Sequence, residues 1–203
     1  MSGIKPLTLA RGAGLLAVCL ACLALPAAAH TNAEGFQGGF VSGFTHPLFG
    51  WDHVAAMVAV GIWGAFLGRP AIWILPIVFP MVMAIGGALG VLGVPLPFIE
   101  PGIAASSIVI GLAILAAWRA PLWLAAVIVG VFAIFHGHAH GTELPDAANP
   151  IAFAIGFVLA TGLLHLIGIA FGLLVDRPNG KIALRAAGAV IAVLGTGFLF
   201  GIV

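Results

Sequence analysis

Six apolar stretches, at 46–67, 71–93, 98–118, 121–143, 150–175 and 182–203, take up nearly all of the chain beyond residue 45. Each is close to the ~20 residues that a helix needs to cross the hydrocarbon of a bilayer. The connectors between them are short: Gly68-Arg69-Pro70, Val94 to Pro97, Arg119-Ala120-Pro121, Leu144 to Pro150, and Asp176 to Lys181. They leave no room for a soluble domain or a nucleotide-binding loop. Only 6% of the 203 residues are charged and 63% are hydrophobic. A soluble domain carries roughly 25% charged residues, so this chain cannot cover a water-facing surface. Strand-like alternation is absent, which argues against an outer-membrane barrel. The pattern predicts an all-α membrane protein, a six-helix transmembrane bundle in a lipid bilayer. A homo-oligomer is compatible with it. The formal net charge of +1 says nothing about nucleic acid, but there is no basic patch, so no nucleic-acid partner is expected.

Residues 1–29 read as a secretory signal peptide, followed by one transmembrane domain over 30–203. Lys5 and Arg11 give the positive start, Gly12 to Leu25 the apolar core, and Pro26 ends it. Ala27-Ala28-Ala29 then offers a small-residue cleavage site; the alternative is an uncleaved first helix. In either case the following residue emerges outside. Cys19 and Cys22 both fall in this segment, so the mature chain holds no thiol for a disulfide or a thiolate metal site.

The charges fix a topology. With residue 30 outside, the connectors after spans one, three and five face the cytoplasm. They and the first turn after them carry Arg69, Arg119, Arg177, Lys181 and Arg185, every basic residue of the mature chain. Glu34, Glu100, Glu143 and Asp146 fall on the opposite face. This is the positive-inside pattern, and it puts the chain in an inner membrane with its mature N-terminus periplasmic.

Ionisable groups within membrane spans are costly, so each is a functional candidate. They concentrate in two stretches, His46-Pro47-Leu48-Phe49-Gly50-Trp51-Asp52-His53 and Phe135-His136-Gly137-His138-Ala139-His140-Gly141-Thr142-Glu143. Imidazole and carboxylate together suit a divalent transition metal. Pro47 suits a first helical turn, which places His46 at or before the start of the first span. On a regular helix His53 would then lie about 10 Å further along the axis, too far for one ion to reach both. Two tiers are expected: His46, His140 and Glu143 near the outer mouth, and Asp52, His53 and His136 about two turns inward. Asp52 could ligate directly or hold the His53 imidazole. His136 and His140 stand at i and i+4, a spacing that brings two helical side chains to one metal. His138 points the other way unless the helix unwinds at Gly137 or Gly141. His165, with Thr161 one turn above it, is a deeper candidate. His30 would chelate through amine and imidazole if cleavage makes it the N-terminus. Ser106 and Ser107 read as helix–helix contacts, the five tryptophans mostly as interface anchors, and small residues four apart, such as Gly86 with Gly90 and Gly168 with Gly172, as sites of close helix packing.

These residues resemble the HupE/UreJ family of nickel, sometimes cobalt, permeases. Its first-span signature H-P-x-x-G-x-D-H is met by His46, Pro47, Gly50, Asp52 and His53. Its F-H-G-x-A-H-G-x-E signature is met by Phe135, His136, Gly137, Ala139, His140, Gly141 and Glu143. The first motif is also similar to the H-x4-D-H of nickel/cobalt transporters, with one extra residue. The resemblance implies a transporter and not an enzyme: secondary uptake of Ni²⁺ as the transported substrate, for hydrogenase or urease assembly. Co²⁺ and Zn²⁺ accept the same imidazole and carboxylate ligands. The competing readings are an intramembrane zinc hydrolase, with Glu143 as base, and a haem protein ligated by His53 and His136.

Overall fold

A computed structural model describes residues 39–142, 144 and 149–202. The signal-peptide reading at 1–29, His30 and Glu143 lie outside the described residues. Within them the secondary structure is entirely helical: α1 (Gly39–Phe49), α2 (Trp51–Leu67), α3 (Ala71–Val91), α4 (Ile99–Leu115), α5 (Leu122–Thr142), α6 (Pro150–Gly172) with a 3-10 turn at Leu173–Asp176, and α7 (Gly180–Leu199). Four helical segments are long and apolar enough to cross a bilayer, and a fifth span results if α1 and α2 count as one broken crossing. α4, at 17 residues, is shorter.

The first expected span is therefore corrected. It is a pair of helices bent by 78° between Phe49 and Trp51. Pro47 lies in the last turn of α1 and has no N–H to give to that turn. Gly50 then adopts extended backbone, φ −83° and ψ 102°, and its carbonyl accepts from Val54 N–H as the first bond of α2. Pro47 thus closes one helix where the sequence suggested the opening of another. The other boundaries fall within a few residues of expectation. Asn149 caps α6 by accepting from the backbone N–H groups of Ile151 and Ala152, with Pro150 in the first turn.

α2 is the central helix, buried along most of its length from His53 to Phe66 and packed against α3, α4, α6 and α7. α5 lies against α3 and α4, and α1 folds back onto α6. Lipid supplies little hydrophobic force between helices, so close backbone approach must hold such pairs. Along α3–α5 a Cβ added at Gly86 would strike the Ile134 carbonyl, and one at Gly137 the Met83 carbonyl. Along α2–α6 the same holds for Gly61 against the His165 carbonyl and Gly168 against that of Val58. Gly137 and Gly141 thus serve interhelical contact, and α5 continues without unwinding to Thr142. Trp63 is a further correction: it is fully buried, with Nε1 donating to the Trp118 carbonyl at 3.3 Å, while Trp73 and Trp123 are exposed.

Candidate metal centre

α2 and α5 both pack on α3 and α4, which turns the start of α2 toward the end of α5. The bend at Gly50 swings the last turn of α1 over the same place. His46 from α1, His53 from α2 and His140 from α5 consequently meet, each offering one ring nitrogen, with the three atoms all within 4.8 Å of one another. Their ring centroids lie 4.9 Å apart for His46–His140, 4.4 Å for His53–His140 and 6.2 Å for His46–His53. His53 and His140 are buried and His46 is half-buried. Phe157 of α6 closes one side, 4.3 Å from the His140 ring. The expected two-tier arrangement therefore does not form: His46 and His53 share one cluster, because the helix between them is broken.

Asp52 defines the chemistry of His53. Its Oδ1 accepts from the His53 backbone N–H at 2.8 Å and faces Nδ1 at 2.6 Å. An ionised carboxylate only accepts, so Nδ1 carries the proton and Nε2 is left with its lone pair. That Nε2 is buried and has no hydrogen-bond partner among the described residues. A carboxylate holding the far side of an imidazole in this way fixes the tautomer and ring orientation a metal ion requires. Gly50 makes room, since a Cβ there would lie 3.1 Å from Asp52 Oδ1 and 3.2 Å from His53 Nδ1.

His136 lies one turn before His140 on α5, its ring 5.1 Å from that of His53. The Ser106 hydroxyl donates to the Ile103 carbonyl at 2.5 Å, so toward His136 Nε2, 3.0 Å away, it can only accept. His136 is thereby protonated at Nε2 and keeps a bare Nδ1, which is buried without a partner among the described residues. Ser106 is the member of this neighbourhood that sequence reading treated as packing alone. Its signal was a hydroxyl in mid-span, a group that must find a partner in an apolar surround.

His138 is not brought into the cluster. Its Nε2 donates to the Val94 carbonyl at 2.7 Å, tying α5 to the connector that follows α3. His165 is buried deeper in the bundle, and its ring and that of His136 each lie 5.4 Å from the Phe79 ring. Neither His165 nitrogen nor the Thr161 hydroxyl has a hydrogen-bond partner among the described residues. The fully buried Met57 and the nearly buried Met83 belong to the core, and Glu100 sits in the first turn of α4, where a carboxylate is favoured.

Comparison with known proteins bears on the whole chain. The family model described as HupE / UreJ protein matches residues 17–198. Protein HupE of Rhizobium leguminosarum bv. viciae is 42% identical over 182 residues, covering 90% of this chain and 95% of the relative. No solved structure matches. A match that runs through both histidine stretches and nearly every helix means that the chain belongs to the HupE/UreJ family.

Proposed function

We propose that the protein is a six-span secondary permease of the inner membrane, carrying Ni²⁺, and Co²⁺ as a weaker or alternative substrate, from periplasm to cytoplasm for assembly of a nickel enzyme such as hydrogenase or urease. The observation that carries the reading is the convergence of three imidazoles from three separate helices, with ligand atoms within 4.8 Å. In lipid-spanning sequence such a group is costly unless it serves an ion path. The span count takes α1–α2 as one broken crossing and α4 as a short one.

In this scheme His46, His53 and His140 capture the ion, and Asp52 holds His53 with its lone pair forward. Glu143 is a further donor to the ion, as is His30 where cleavage makes it the N-terminus. The bare Nδ1 of His136 receives the ion next, and His165 with Thr161 follows further in. His138 has a structural role, and its ligation would require breaking its bond to Val94. A divalent cation gains about 4.6 kcal/mol per 100 mV of inside-negative potential, so the potential alone can drive accumulation.

The test is influx of radioactive nickel into proteoliposomes held at an inside-negative potential, wild type beside His53→Ala. Influx that collapses in the variant and is competed by cobalt is the expected result. Stoichiometric metal binding without influx would overturn the permease reading and favour an intramembrane zinc hydrolase built on the same three imidazoles.

A further inference from the structure

At the end of the bundle away from the histidines lies a cavity of about 540 Å³, lined among others by Arg69, Arg119, Lys181, Asp176, Phe66 and Trp73. The three cations come from three different places in the chain: the α2–α3 connector, the α4–α5 connector and the start of α7. The positive-inside rule asks only that basic residues face one side, and it is satisfied wherever on the connectors they stand. Their convergence on one cavity is a separate fact. Among the described residues no Lys or Arg lies within salt-bridge distance of a carboxylate, the His53–Asp52 contact being the pair that does reach it. Three cations face one carboxylate, an excess of two positive charges. The Arg119 guanidinium carbon lies over the Phe66 ring, 5.2 Å from its centroid, a cation–π contact that orients the side chain.

The rest of the lining is aliphatic and aromatic, and Trp73 and Leu173 at its margin are about half exposed on the outer surface of the bundle. Arg69, Arg119 and Lys181 are exposed, and a cationic rim beside an apolar wall matches an amphiphile with a negatively charged head. Basic pockets between transmembrane helices on the cytoplasmic side have the chemistry that anionic headgroups need. The geometry points to a phosphate site in this cavity, taken by the headgroup of an anionic phospholipid whose acyl chains run along the apolar wall past Trp73. The site is independent of the histidine cluster and stands whether or not the protein carries nickel.

The experiment is native mass spectrometry of the purified full-length chain with phosphatidylglycerol and phosphatidylcholine of the same acyl chains, and with inorganic phosphate as competitor. Each cation close to an anionic headgroup contributes about a fivefold preference. Wild type is expected to retain phosphatidylglycerol at least tenfold better than phosphatidylcholine, and R69Q/R119Q/K181Q to retain the two equally. Arg177→Gln removes a cation of the same face that is equally exposed but does not line the cavity, and leaves the preference intact. Should the triple variant not fold, Lys181→Gln alone reduces the preference about fivefold. Phosphate binding that needs the three cations, with no lipid preference, supports the anion site and assigns it to a free phosphate. Equal retention of the two lipids with no phosphate binding, or a preference that survives loss of the three cations, overturns the proposal.

Discussion

Asp52 offers the sharpest perturbation of the proposed ion site, because one oxygen performs two tasks. Oδ1 accepts from the His53 backbone N–H and from Nδ1, at 2.8 and 2.6 Å. In Asp52→Asn the amide oxygen stays where it is, since turning the NH2 group inward would set it against the backbone N–H. Nδ1–H keeps an acceptor, now neutral, and the bond loses about half its strength. In Asp52→Ala both donors lose their acceptor and the imidazole is free to change tautomer, leaving Nε2 protonated. Removing such a supporting group costs 10–100-fold in metal affinity. The expected order is wild type, then Asp52→Asn weaker by about tenfold, then Asp52→Ala weaker by about a hundredfold, or about 1.4 and 2.7 kcal/mol. Equilibrium dialysis of purified protein against nickel reads this directly, with thermal unfolding in the same detergent as the control for fold. If Asp52→Asn binds as poorly as Asp52→Ala and His53→Ala, the carboxylate is itself a ligand and the positioning role is refuted. Wild-type affinity in Asp52→Ala would show that it has no role.

His140→Ala is expected to weaken nickel binding in that assay by about a hundredfold while leaving a loadable two-imidazole site, whereas His138→Ala keeps affinity within about threefold and lowers the melting temperature, since the lost bond to Val94 is worth on the order of 1 kcal/mol. Equal loss of metal in both would place His138 in the ion path. Gly137→Ala drives a methyl into the Met83 carbonyl and should destabilise the α3–α5 pair by about 1–3 kcal/mol, read as a lowered unfolding midpoint in detergent. Ligation needs neutral imidazole, and protons compete for the same lone pairs, so nickel uptake should weaken on acidification and never strengthen. Uptake that rises as the pH falls would count against histidine ligation in the limiting step.

Hydropathy and the proline- and glycine-rich connectors make the helices of this chain legible, since hydrocarbon thickness sets their length and leaves little else for the sequence to encode. What could not be read was direction. The seven-residue interval from His46 to His53 has one meaning on a continuous helix and another across a bend. Pro47 is equally at home opening a helix and closing one. Extended backbone at Gly50 decides between them, and that choice depends on α1 finding a partner in α6, through Gly43 against Phe153 and Gly156 against Phe40. A tertiary contact more than a hundred residues away thus converts two expected stations into one cluster. On a regular helix His138 points away from His136 and His140, and α5 stays regular there because Gly137 and Gly141 admit α3 and do not loosen α5. Ser106 could have been singled out only as a polar group in need of a partner, with its pairing to His136 left to the packing of α4 on α5.

The claim that one ion is held jointly by α1, α2 and α5 can be read at the metal itself, by X-ray absorption of the nickel-loaded protein. The structure predicts imidazole scattering from three histidines in wild type and from two in each of His46→Ala, His53→Ala and His140→Ala, with His46→Ala the telling variant. A nickel site in His46→Ala with the wild-type number of imidazoles would contradict it, and would restore two separate stations along the path.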